Sequence, residues 1–221
     1  MVTRTALAAC TAIALGLAGC QGSGATPPTA FAGDPGHGRS VVERTCAACH
    51  GLDGSSVSPN IPNVGGQYPE YIAKQLKALA APAGSKTARL SPVMGPIAAG
   101  LNENDINDVA AYYASQSSHP RRPRDPQDLD LGRKVFTEGN PDEELPACIT
   151  CHRSSGQGIR PDFPRVGSQN PDYVDAQLEH WLVNRGHRGK LMSIIAPRLS
   201  QKERAAVADY IAQLDPSKSQ P

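Results

Sequence analysis

The sequence predicts an all-α chain built as two similar helical domains in tandem, joined by a Pro/Arg-rich linker. Three observations carry that prediction. A Cys-x-x-Cys-His run occurs twice, at Cys46–His50 and at Cys148–His152. The residues that follow each run repeat at fixed offsets. Apolar residues recur at helical spacing, and no segment sustains a period of two, so little or no sheet is expected.

The repeat comes first. Counted from His50 and His152, Pro59 and Pro161 lie nine residues on, and Pro62 and Pro164 lie twelve on. Val64-Gly65 and Val166-Gly167 follow at matched places. Gln67-Tyr68-Pro69-Glu70-Tyr71 answers Gln169-Asn170-Pro171-Asp172-Tyr173. The stretch from Met94 to Leu101 answers Met192 to Leu199, and eleven residues after those leucines stand Tyr112 and Tyr210. Two modules of about 85 residues each are near the lower size of an independent domain. Aromatics are only 5% of the chain, and 21 Gly and 20 Pro make thin cores, so each module is of the size that relies on a staple or a cofactor.

In chain order, residues 1–20 read as a leader. Arg4 gives a positive start, and Ala6 to Leu17 is an apolar run too short to span a membrane. Leu17-Ala18-Gly19-Cys20 resembles the lipobox of bacterial lipoproteins, in which the cysteine is acylated. The rival is cleavage after Ala30-Phe31-Ala32, which leaves a long gap after the apolar run; the lipid reading is preferred. Residues 21–33 are then a flexible tether. Either reading exports the chain into an oxidising compartment and discards Cys10.

The first domain covers residues 34–116. Ile72, Leu76 and Leu79 recur at helical spacing after Pro69 in a first turn. Asn102 before Glu103 opens a last helix whose stripe is Ile106, Val109, Ala110 and Tyr113. Residues 117–130 hold three prolines and Arg121, Arg122 and Arg124, read as a semi-extended linker with solvated charges. The second domain covers 131–216, with a 217–221 tail. Val174, Leu178 and Trp181 follow Asn170-Pro171, and Ser200 with Glu203 caps a helix carrying Val207, Tyr210, Ile211 and Leu214.

The two Cys-x-x-Cys-His runs point to c-type haem attachment. Two thiols three positions apart at the end of a helix can reach two vinyl groups on one porphyrin edge. A histidine directly after them lies under the ring, where it can ligate iron. Zinc sites usually separate their cysteine pairs by about 12–20 residues; here about a hundred intervene. A thioredoxin-like motif expects a strand–helix setting, and simple disulfides leave the histidines unexplained. Cys46, Cys49, Cys148 and Cys151 are therefore the expected covalent anchors of two haem c groups, with His50 and His152 on iron.

The second iron ligand follows by elimination. Apart from Met1 the chain has only Met94 and Met192, at matched places. Met is normally a flexible core filler, but one per haem and in register it reads as a thioether ligand. His/Met ligation raises the potential and leaves no open site for substrate. His187, five residues before Met192, competes for the role but has no counterpart; it is read with His37, His119 and His180 as a surface histidine. Pro62 and Pro164 either offer a carbonyl to the free nitrogen of the haem histidine or are ordinary turn prolines.

With these residues in place, the chain resembles class I cytochromes c, and within them the diheme cytochrome c4 family. The stretches that carry the resemblance are CAACHGLDG, PNIPNVGGQYPEYIAKQLKAL, SPVMGPIAAGLNENDINDVAAYYASQ, GRKVFTEGNPDEELPACITCH and LMSIIAPRLSQKERAAVADYIAQL. The resemblance implies two helical domains related by a pseudo-twofold axis, with haem edges facing each other. It assigns the carbonyl-donor position to Pro62 and Pro164. It implies that first and last helices cross at Gly38 and Gly132, against Val109/Tyr112 and Val207/Tyr210, with Val42 and Phe136 adjoining. One departure stands out. Arg153 occupies the place of Gly51, beside the haem, and is expected to raise that centre's potential.

The function expected is a periplasmic, one-electron carrier between a quinol-oxidising complex or dehydrogenase and a terminal oxidase or other acceptor. The rivals are a cytochrome subunit of a dehydrogenase, such as a sulfide-oxidising flavocytochrome, and a diheme catalyst such as a thiosulfate-oxidising enzyme. Lys plus Arg is 22 and Asp plus Glu is 21, which gives no reason to expect nucleic acid. Membrane contact would come through acylated Cys20. No large exposed apolar patch is evident. Arg185, His187, Arg188 and Lys190 crowd before Met192, where they either meet haem propionates or an acidic partner, or form a solvated loop.

Overall fold

The computed structural model describes residues 31–185 and 189–218. The leader, Cys20, most of the tether, and His187 and Arg188 lie outside them. Eleven α-helices, three short 3-10 helices and two isolated β-bridges make up the regular structure of the described residues, in agreement with the all-α expectation. None of these helices is long and apolar enough to cross a membrane.

The first domain holds α1 (Pro35–Thr45), the one-turn α2 (Ala47–His50), α3 (Pro69–Ala80), α4 (Met94–Ala99) and α5 (Glu103–Ala114). The second holds α6 (Leu129–Glu138), the one-turn α7 (Ile149–His152), α8 (Pro171–Glu179), α9 (Trp181–Arg185), α10 (Lys190–Ile195) and α11 (Gln201–Gln213). Proline opens α1, α3 and α8, where its missing N–H costs nothing. Asp34 caps α1 by accepting from the Gly36 N–H. Both last helices start with reciprocal capping boxes, Asn102 with Asp105 and Ser200 with Glu203. In α5 the reciprocal partner is thus Asp105 at the third position rather than the adjacent Glu103.

Each core forms where the domain's first helix crosses its last. A Cβ on Gly38 would collide with the Asp108 carbonyl of α5, and one on Gly132 with the Ala206 carbonyl of α11. Only glycine lets the backbones approach this closely. Val42 and Phe136, four residues on, are fully buried. Phe136 meets Tyr210 at 5.5 Å between ring centroids, and truncating such a side chain costs about 3–5 kcal/mol. Ile72, Leu76, Leu79, Ile106, Val109, Ala110 and Tyr113 are all buried in the first core, as their spacing predicts. Phe31 also packs there, so ordered packing begins before Asp34.

Two details depart from the sequence expectation. The stripe Val174, Leu178, Trp181 does not lie on one helix. The chain breaks at His180, so Val174 and Leu178 pack on the second core while Trp181 lies under the Arg185 guanidinium, 4.7 Å from its ring centroid. The linker arginines are not uniformly solvated. Arg124 bonds Asp209 through its backbone N–H at 2.7 Å and its Nε at 3.1 Å, and reaches Asp172 and Asp175. Arg121 donates to the Ser56 carbonyl and to Asn63 Oδ1 while its N–H meets the Ala212 carbonyl. A chain segment with no helical bonds of its own has backbone groups to satisfy, and these arginines pin it against both domains. Arg122 is exposed as expected.

Candidate functional site

The Cys-x-x-Cys-His runs fold as expected. In each, the histidine N–H bonds the carbonyl of the first cysteine, at 3.0 Å in α2 and 2.9 Å in α7. One helical turn therefore sets residues i, i+3 and i+4 on a common face. His50 Nδ1 meets the Pro62 carbonyl at 3.0 Å, and His152 Nδ1 meets the Pro164 carbonyl at the same 3.0 Å. Both proline carbonyls thus face the ring nitrogen of the histidine in their own half. The bond identifies Nδ1 as the protonated nitrogen and leaves Nε2 of each ring uncommitted among the described contacts. Burial lowers both imidazole pKa values, against the opposing pull of the proline carbonyls, so both rings are neutral near pH 7 and able to ligate metal.

The loops that carry these prolines are tied back to the residues after each histidine. The Val64 N–H bonds the Gly54 carbonyl at 2.8 Å, and Val166 bonds Gly156 at 2.8 Å. Gly54 and Gly156 have positive φ, and a Cβ on either would strike the next loop's backbone. Burial pushes the Cys46 and Cys148 thiols up to about 11, so as free thiols both are protonated at neutral pH.

Met94 heads α4, donates its N–H to Ser91 Oγ at 3.1 Å, and packs with Cys46 on the first core. Met192 lies in the first turn of α10, partly buried, three residues before Ile195 of the second core. No described contact joins either methionine directly to its histidine. Leu90 and Val93 before Met94, and Leu191 and Ile194 around Met192, stand more than half exposed. Two thiols, one free imidazole nitrogen and one thioether in each half fit haem c. Among the described residues no three His, Cys, Asp or Glu gather as a metal site.

Of the remaining expected residues, Arg153 holds φ +62 and ψ 165 at the end of α7, where Gly51 holds φ +77 and ψ 157. His37 pairs with Asp108 at 2.8 Å and stays half-exposed; His119 and His180 are exposed. Arg185 is corrected. It does not belong to a surface cluster with Lys190 but is buried, its guanidinium reaching Tyr71 and Gln75 of the first domain and Tyr173 and Gln177 of the second. Arg89 reaches the same Gln75, Tyr173 and Gln177. Burial would raise the Tyr173 phenol pKa, but the two guanidinium groups carry it below its ordinary value.

This interface went unread in the sequence, though its signal was there. Tyr71 and Tyr173, Gln75 and Gln177, Gln67 and Gln169 are all spaced by the repeat. Gln67 bonds the backbone of Arg165, and Gln169 bonds the backbone of Asn63, at the matched place. Such reciprocity is the mark of a twofold relation between the halves.

The sequence profile of the family described as Cytochrome c matches residues 37–117 and again 129–215. Cytochrome c4 of Thiocapsa roseopersicina is 37% identical over 187 residues, 82% of this chain and 93% of that protein. A thiosulfate dehydrogenase electron acceptor of Stutzerimonas stutzeri (strain A1501) is 29% identical over 182 residues, 80% of this chain and 82% of that protein. The crystal structure of reduced recombinant cytochrome c4 from Pseudomonas stutzeri matches with a TM-score of 0.75 at 35% identity, covering 83% of this chain and all of that one.

Proposed function

We propose a function from the premise that this chain belongs to the cytochrome c family, and within it to the diheme cytochrome c4 family: it is an exported carrier that moves single electrons between membrane and periplasmic redox proteins. Cys46 and Cys49 would hold one haem c and Cys148 and Cys151 the other, with His50 and Met94, and His152 and Met192, as the iron ligands. When bound, each haem supplies one reversible ferrous–ferric couple. The chain's own residues set the conditions. Pro62 and Pro164 fix the ring and tautomer of each histidine and increase its basicity. The thioethers favour the ferrous state. An imidazole and a thioether on each iron would leave no open position for a small substrate.

The observation that carries this reading is the matched 3.0 Å bond from each haem-run histidine to a proline carbonyl, with one methionine in register per half. The donor is a quinol-oxidising complex or a dehydrogenase, and the acceptor a terminal oxidase or another oxidant. Cys20, acylated after leader removal, would keep the carrier at the membrane surface. Visible spectroscopy with potentiometry tests the site. Two low-spin, high-potential transitions are expected, with a thioether band that Met94→Ala and Met192→Ala each remove from one centre. A high-spin centre in the natural protein that binds cyanide would overturn the carrier reading. Acyl-chain mass on Cys20 of the mature protein tests the anchor.

Similarity to a thiosulfate dehydrogenase electron acceptor supports a narrower version in which a sulfur-compound dehydrogenase is the donor. Stopped-flow reduction by that class of enzyme, compared with reduction by a quinol-oxidising complex, separates the two.

A further inference from the structure

The peptide group between Pro62 and Asn63 is shared by two hydrogen bonds. Its carbonyl accepts from His50 Nδ1 at 3.0 Å, and its N–H donates to Gln169 Oε1, from the other domain, at 2.7 Å. The peptide group between Pro164 and Arg165 is used in the same way. Its carbonyl accepts from His152 Nδ1 at 3.0 Å, and its N–H donates to Gln67 Oε1 at 3.0 Å. Each glutamine closes a second bond by donating from Nε2 to the next carbonyl, Asn63 at 2.9 Å and Arg165 at 2.8 Å. The clamps are reinforced by Asn63 Nδ2 on the Ser168 carbonyl and Arg165 on the Gly66 carbonyl, again in matched positions.

We propose that Gln67 and Gln169 are trans-acting positioning residues: each tunes the haem of the opposite domain through the single peptide group that holds its histidine. An amide whose N–H is accepted becomes a stronger acceptor at its own carbonyl, because hydrogen bonds in a chain polarise one another. A stronger acceptor at Pro62 draws the Nδ1 proton of His50 outward and makes the ring a better donor to iron. That stabilises the ferric state and lowers the potential. The route from one domain to the other is three hydrogen-bonded groups long and involves no titration. Both glutamines are partly buried, so water competes poorly for the same N–H.

The inference rests on the proposed histidine and methionine ligation, and the experiment separates the two. Met94→His marks the His50 centre by removing its thioether band; if no band changes, the ligation reading fails and the glutamine idea with it. With the centres so assigned, Gln169→Leu should raise the potential of the His50 haem and leave the His152 haem unchanged. Gln67→Leu should do the converse. Gln169→Glu keeps an accepting oxygen for the Asn63 N–H, loses the Nε2 bond and adds a negative charge that favours the ferric state, so the His50 potential should not rise. Amide hydrogen exchange at Asn63 should quicken in Gln169→Leu and not in Gln67→Leu. A shift in the glutamine's own half, an equal shift in both halves, no shift, or a rise in the Glu variant as large as in the Leu variant overturns the proposal. An equal shift would mark the glutamines as interface glue alone.

Discussion

Arg153 offers the sharpest test of how the backbone around these sites is built. At φ +62 and ψ 165 it occupies a region that is essentially reserved for glycine, and its counterpart Gly51 uses it freely. Such a conformation costs a side-chain-bearing residue about 1–3 kcal/mol. Glycine at the site removes that cost but loses about 0.5–1 kcal/mol through the greater freedom of the unfolded chain. The side chain is exposed and no described hydrogen bond or ion pair of its own would be lost. Arg153→Gly should therefore stabilise the protein by about 1 kcal/mol, a rise of about 2–4 °C in Tm for a chain of this size. Thermal melting of the ferric holoprotein by circular dichroism reads it. The reverse change is expected to be harsher, since a Cβ on Gly51 would stand 2.9 Å from both Asp53 Oδ1 and the Ser55 carbonyl. A melting temperature that stays level or falls in Arg153→Gly would refute the strain argument. The same protein gives a second readout: removing a positive charge next to the haem run should lower one of the two potentials and leave the other.

Two further outcomes are expected. Arg124→Ala leaves Asp209, which is buried in α11, without its guanidinium and should cost about 2–3 kcal/mol; urea unfolding measures it, and Arg122→Ala, on an exposed neighbour, should change little. Asp108 has its pKa held below the ordinary value, first by the Asp34 N–H and further by His37, against some desolvation. A depressed carboxylate stabilises the fold above its unfolded pKa of about 3.9 and loses that contribution as pH falls through the lower folded value. The natural protein should thus lose more Tm than Asp108→Asn does on going from pH 5 to pH 3, and parallel curves would refute the assignment.

What could be read from the sequence and what could not divides along one physical line. The Cys-x-x-Cys-His runs, the capping residues, the buried stripes and the crossing glycines are signalled by residues a few positions apart, or by the family resemblance that those motifs carry. Their partners are fixed by helix geometry, so spacing suffices. Arg185 failed for the opposite reason. Its sequence neighbours Arg188 and Lys190 made it look like surface charge, while the groups that bury it, Tyr71 and Gln75, lie more than a hundred residues away. Arg121 and Arg124 sit in a proline-rich stretch whose composition says nothing of which carbonyls and carboxylates it will run past. The break at His180 likewise has no local signal, since Val174, Leu178 and Trp181 keep helical spacing through it.

A duplicated chain does, however, carry a clue to long-range contacts. A residue that reaches across a twofold axis appears once in each repeat at the same place. Matched apolar residues are ambiguous, because each copy of the core needs them as well. Matched polar residues are not needed by a core, which makes them candidates for the interface. Gln67/Gln169, Tyr71/Tyr173 and Gln75/Gln177 all obey this, and all six side chains bond across the domains or to the arginines between them. Glu70 and Asp172 mark the limit. Glu70 pairs with Arg160 of the other domain, but Asp172 turns to Arg124 of the linker, because the repeat supplies no second arginine at Arg160's matched place. Symmetry in the sequence thus locates an interface only where both copies keep the reaching group and its target, and a backbone peptide is the one target that every residue keeps. That is why the glutamine clamps, which bind backbone, are matched bond for bond while the ion pairs around them are not.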